Sequence, residues 1–110
     1  MTEKASELVQ GTLDMLILKT LALEPMHGYG IALRMEQISG GVFRVNPGSL
    51  FPAFRRLERE GWIKTEWKPT ENNRRAKYYG LTLLGRKELE AVTAEWGRQS
   101  AAIARILEAT

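Results

Sequence analysis

The hydrophobic period of this chain changes once and then changes back, and that switch limits what it can fold into. Up to Glu60, apolar residues recur mostly at three- and four-residue intervals, the spacing of one helix face. Gly61 follows, well placed as a helix-closing C′ glycine. Beyond it "WIKTEW", residues 62–67, alternates with period two and is rich in aromatic and β-branched residues, as strands are. "KPTENNRR" has the proline, asparagines and charge of a turn, and "AKYYGLT", residues 76–82, reads as a second strand. From Leu83 the helical spacing returns. One excursion into period two makes a β-hairpin with a basic eight-residue tip, placed ahead of a last helix.

The helical part divides at its breakers. "GTLDMLILKTLALE", residues 11–24, predicts a first helix whose apolar density implies deep burial, with Thr12 available as its cap. Residues 1–8 are expected to fray. "EPMHG" interrupts, and "GYGIALRMEQIS" predicts a second helix with Ile31, Met35 and Ile38 on one face. "GGVFRV", residues 40–45, is a connection expected to hold a short extended pairing. A third helix is expected from Asn46 or Pro47 to Glu60, and Thr82 caps a fourth over residues 83–108. The fold class is mainly α with a small β-hairpin: a winged helix-turn-helix over residues 1–82, then a long C-terminal dimerisation helix over residues 83–110. In that architecture the third helix enters the DNA major groove and the hairpin reaches toward the phosphate backbone or minor groove.

Charge agrees with that order. Residues 44–87 carry eleven Lys/Arg against four Glu, a net of +7, whereas the remainder carries five against nine, a net of −4. A basic segment inside an acidic chain is the footprint of a polyanion-binding face. The chain has no cysteine, which removes disulfides, zinc–thiolate sites and thiol catalysis. The longest apolar run, residues 13–23, contains Lys19 and Asp14 and is too short for a bilayer. The polar start "MTEKASELVQ" is unlike a signal peptide, so a cytoplasmic location without a membrane partner is expected.

On a helical wheel, Leu50, Ala53, Phe54 and Leu57 form the buried stripe of the third helix. Gly48, Pro52, Arg55 and Arg59 lie opposite, flanked by Ser49 and Arg56 on one side and Phe51 on the other. Small residues at a helix start permit close approach, its free N–H groups favour phosphate, and arginine forks suit guanine edges or phosphates. Asn46 is a good N-cap and Pro47 suits N1, which puts Pro52 at N6, where it removes the bond to the Gly48 carbonyl. A cap at Ser49 instead would put Pro52 at N3 without that loss. Helix from Pro47 with a loosened first turn is the expectation.

These stretches resemble the PadR family of bacterial transcriptional regulators over nearly the whole chain. The resemblance is carried by "QGTLDMLILKTLALEPMHGYGIALRMEQISGG", "NPGSLFPAFRRLEREGWI", "RRAKYYGLT" and the closing helix with its tryptophan. It implies a homodimeric winged-helix repressor of the short-tailed type, with the last helix and the first forming the dimer. It places Ser49, Phe51, Arg55 and Arg56 on the DNA side of the third helix and Arg74, Arg75 and Lys77 in the wing. Phe51 stands where the family commonly has a tyrosine, and a phenyl ring cannot donate that hydroxyl's bond. The expected DNA-contact set is completed by Pro52, Arg59 and Lys64, with Arg59, Lys64, Arg74, Arg75 and Lys77 mainly on phosphate.

In the last helix, Leu89, Val92, Trp96, Ile103 and Ile106 make an a/d-like seam, the expected dimer interface. Trp96 is first an interface tryptophan and second a candidate wall of a small-molecule site, since some short family members resemble multidrug sensors. The lone His27 is expected to be a turn residue at the start of the second helix and not a metal ligand. Trp62 and Trp67 are expected to pack in the core or on the sheet, and one of Tyr78 and Tyr79 to face inward. No nucleophile–base pair or metal cluster is legible, so neither enzyme activity nor a cofactor is expected. The expected function is a sequence-specific regulator of double-stranded DNA, probed against an alternative: a winged-helix protein-interaction module without specific DNA binding.

Overall fold

The computed structural model describes residues 12–110. The elements run α1 (Thr12–Leu23), β1 (Met26–His27), α2 (Gly28–Ile38), α3 (Pro47–Arg59), β2 (Ile63–Pro69), β3 (Arg75–Leu81) and α4 (Leu83–Glu108). This is the predicted helical order around a small antiparallel sheet. The expected fraying of residues 1–8 and the Gly11 start of the first helix lie outside the described residues.

The sheet has three strands in the order β1-β3-β2. β2 and β3 pair from Ile63↔Leu81 at the root to Pro69↔Arg75 at the tip, so the hairpin is longer and its turn tighter than the sequence suggested. Thr70 N–H donates to the Arg74 carbonyl at 2.6 Å and Asn73 N–H to the Thr70 carbonyl at 3.0 Å. The third strand corrects an expectation. The extended pairing anticipated in residues 40–45 is absent, because that segment is a turn and coil held by Phe43 N–H on Ser39 Oγ at 3.1 Å. The pairing strand is Met26–His27, set against Tyr79 and Tyr78. Pro25 disfavours helix at Glu24, which ends α1, and the next two residues are extended where they pair with β3.

The core lies where α1, α2, α3 and the sheet converge. Ile17, Leu18, Ile31, Leu50, Phe54 and Leu57 are fully buried, and Ile63 and Tyr79 close the sheet side. The Phe54 and Tyr79 rings pack with centroids 4.3 Å apart. At the end of α3, Gly61 takes φ +77°, a conformation costly for residues bearing a Cβ. Gly61 N–H then bonds the Glu58 carbonyl at 3.0 Å and Trp62 N–H the Leu57 carbonyl at 3.0 Å, the paired bonds of a Schellman cap.

The same corner anchors α4. Thr82 Oγ1 caps its first turn, accepting from Gly85 N–H at 2.9 Å, and donates to the Gly61 carbonyl at 2.6 Å. Thr82 N–H bonds the Trp62 carbonyl at 3.1 Å. Gly85 is buried against that carbonyl so closely that a Cβ there would sit 2.0 Å from the Trp62 oxygen. α4 then runs along α1 and beyond it, and its extension gives the molecule a long axis of 60 Å.

Candidate nucleic-acid interface

α3 begins as its capping chemistry requires. Asn46 Oδ1 accepts from Gly48 N–H at 2.9 Å, and Pro47 occupies the first turn. This resolves the capping question for Asn46, so Pro52 lies inside the helix. Lacking an N–H, Pro52 gives the Gly48 carbonyl no intrahelical partner. Both residues are exposed, which leaves that carbonyl on the outer face. Ser49 is also exposed there, with its hydroxyl donating to the Asn46 carbonyl at 2.7 Å. Leu50, Ala53, Phe54 and Leu57 are buried, as the wheel predicts, so Arg55 and Arg59 are carried outward.

The hairpin stands beside this helix and is tied to it. Thr65 Oγ1 on β2 donates to Glu58 Oε2 on α3 at 2.9 Å. Strand alternation puts Thr65, Trp67, Lys77 and Tyr79 on the face toward α3. Lys64, Glu66 and Tyr78 take the other face. Lys64 is thereby parted from the α3 arginines, and its stem lies over Gly80 instead. Arg74 and Arg75 are exposed at the tip. Lys77 Nζ sits 5.7 Å from the Tyr79 ring centroid, within cation–π range. Burial, then the Glu58 carboxylate, pushes the Tyr79 phenol pKa up, while Arg55 pulls it down.

Between the start of α3 and the wing lies an open cleft of about 530 Å³, walled by Tyr29, Phe51, Trp67, Lys77 and Tyr79. Phe51 is 43% exposed and meets Phe54 edge-on at 5.9 Å, a packing contact that needs no hydroxyl. Trp67, expected to pack, is instead 57% exposed along this cleft. The sequence signal was present in the alternation, since Trp67 shares parity with Ile63, but strand 2 outruns the core before reaching it. Trp62 does pack against the core, and Tyr79 is the inward tyrosine. His27 caps α2, its Nδ1 accepting from Gly30 N–H at 3.1 Å.

Arg56 takes a different course from its neighbours. Its Nε donates to Asp14 Oδ2 at 3.3 Å and its Nη2 to Asp14 Oδ1, a two-point pair between α3 and α1. The hydrogen bond first, and the carboxylate charge second, raise the guanidinium pKa further. Among the described residues, Arg55 and Arg59 form no ion pair.

Residues 17–91 match the transcriptional regulator PadR-like family. The chain belongs to that family. It is similar to a PadR family transcriptional regulator from Eggerthella lenta, with 31% identity, TM-score 0.77, and coverage of 92% of this chain and 86% of that one. A PadR-like regulator from Bacillus cereus superposes with TM-score 0.82 at 26% identity, over 96% of this chain and all of the other. Among curated relatives, Uncharacterized protein X of Lysinibacillus sphaericus is 28% identical over 91 residues, covering 83% of this chain and 84% of that protein. An uncharacterized 37.1 kDa protein in transposon TN4556 of Streptomyces fradiae is 39% identical over 87 residues, and this chain matches only 24% of its length. PadR membership makes the protein a DNA-binding transcriptional regulator of winged-helix fold, not an enzyme. Among the described residues, no helix is long and apolar enough to cross a membrane.

Proposed function

We propose that this PadR-family protein is a cytoplasmic, homodimeric repressor that binds near-palindromic operator DNA and is released by a small ligand or a partner. The observation that carries the reading is the shared face of α3 and wing, where small residues, outward arginines and the basic hairpin tip stand together. Gly48, Ser49 and Pro52 allow close approach to the duplex, Arg55 and Arg59 reach base edges or phosphates, and Phe51 offers an apolar contact to a thymine methyl. Arg74, Arg75 and Lys77 contact phosphate and set affinity. Lys64, on the far face of the sheet, contributes charge from a greater distance.

The dimer reading rests on α4. Leu89 packs on the core and Val92 is half-buried, but Trp96 is 40% and Ile106 73% exposed, with Ile103 between them in solvent. An apolar stripe on so long a helix calls for a second helix to cover it. Trp96 with Met15, Leu16 and Leu89 also lines an open groove of about 660 Å³ between α1 and α4, which suits an aromatic effector. Two winged helices joined this way would meet half-sites about 34–36 Å apart, one helical turn. Selection from random duplex DNA tests this: enrichment of a near-palindrome with that spacing is expected. Recovery of no preferred sequence would defeat the specific-repressor reading.

A further inference from the structure

The pairing of Arg56 with Asp14 assigns this arginine a role other than reading DNA. The two side chains come from positions 42 residues apart and lock α3 to the first turn of α1. Asp14 lies in that first turn, where the helix dipole favours a carboxylate. The side-on geometry occupies Nε and one Nη2 proton, one of the two forks with which a guanidinium can make a bidentate contact to guanine or phosphate. The pair is partly shielded, with Asp14 27% and Arg56 46% exposed, so water screens it incompletely. Arg56 also sits on the α1 flank of α3, on the side away from Phe51 and the wing cleft.

We propose that Arg56 is a positioning residue, and that Asp14 withholds one α3 cation from phosphate and so lowers affinity for duplex DNA of any sequence. The inference rests on the DNA-binding surface described above. Phosphate contacts raise affinity for every sequence alike, so cancelling one such charge lowers operator and random-sequence binding by a similar factor and makes both less dependent on salt. The strut also fixes the angle of the reading helix relative to α1, the helix that packs against α4.

The test is the salt dependence of binding to random duplex and to a selected operator, measured for the full chain. Asp14→Asn frees Arg56, so the log–log slope should steepen by about 0.9, with random-duplex and operator affinity rising by a similar factor. The double variant Asp14→Asn with Arg56→Gln removes both charges and should return the wild-type slope. A double variant whose slope is shallower by about 0.9 would mean that Arg56 holds a phosphate in the wild type, which overturns the proposal. An unchanged slope in Asp14→Asn overturns it equally. Circular dichroism establishes that each variant is folded, and because the pair is on the surface both should be. A wild-type chain that binds no duplex removes the DNA reading beneath the proposal, an outcome distinct from a wrong pattern of slopes.

Discussion

At the scale of single residues, the most informative side chain is Tyr79. It seals the sheet side of the core against Phe54 while its ring carries Lys77. Its phenol pKa is raised, chiefly by burial, so the folded state keeps a proton that the unfolded chain releases near pH 10. Stability is therefore whole below about pH 10 and declines as pH rises toward the folded-state value. Alkaline unfolding curves should show this decline in the wild type and lose that component in Tyr79→Phe. In an ultraviolet phenolate titration, Tyr79 should ionise above the ordinary tyrosine range. Phe51 makes a second point at this scale. Its edge-on contact with Phe54 ties a cleft wall to the core, so an apolar ring here has a packing role before any DNA is bound.

At the scale of elements, the wing and the reading helix form one unit, joined by Thr65–Glu58 and by the cap at Gly61. Changing Arg74→Ala together with Arg75→Ala should weaken binding to all duplexes and flatten the salt slope by up to about 1.8, two phosphate contacts' worth. An unchanged slope would speak against contacts from the tip. Much of this unit was legible in the sequence, because each boundary has a local cause: Asn46 and Pro47 start α3, Gly61 ends it, and Thr82 starts α4. What escaped has a physical reason too. Met26–His27 is too short to show any period, and it becomes a strand only because β3 lies beside it. Trp67 follows the inward parity of its strand yet overhangs the core, and where a core stops is decided by tertiary packing. The Arg56–Asp14 pair joins residues far apart in the chain, so a wheel drawn for α3 alone cannot contain it.

At the scale of the molecule, the uncovered stripe of α4 predicts the assembly. On the proposed dimer, Ile103→Glu with Ile106→Glu should leave only monomers in sedimentation and lower operator affinity by about 10²-fold or more, as the second half-site is lost. Monomers with undiminished affinity would refute the paired-half-site reading. The root of α4 is the other determinant at this scale. Gly85→Ala would force a Cβ into the Trp62 carbonyl and should destabilise the fold by about 1–3 kcal/mol in urea unfolding. The tightness of that corner has a mechanical consequence. Trp62 is at once the last residue of the α3 cap, the doorstep of the wing and the seat of α4. With so little room between Gly85 and the Trp62 carbonyl, a tilt of the long helix is expected to pass into this corner. In the proposed dimer the long helix would act as a lever with its fulcrum at this corner, and a change of pitch between the subunits would swing α3 and wing together.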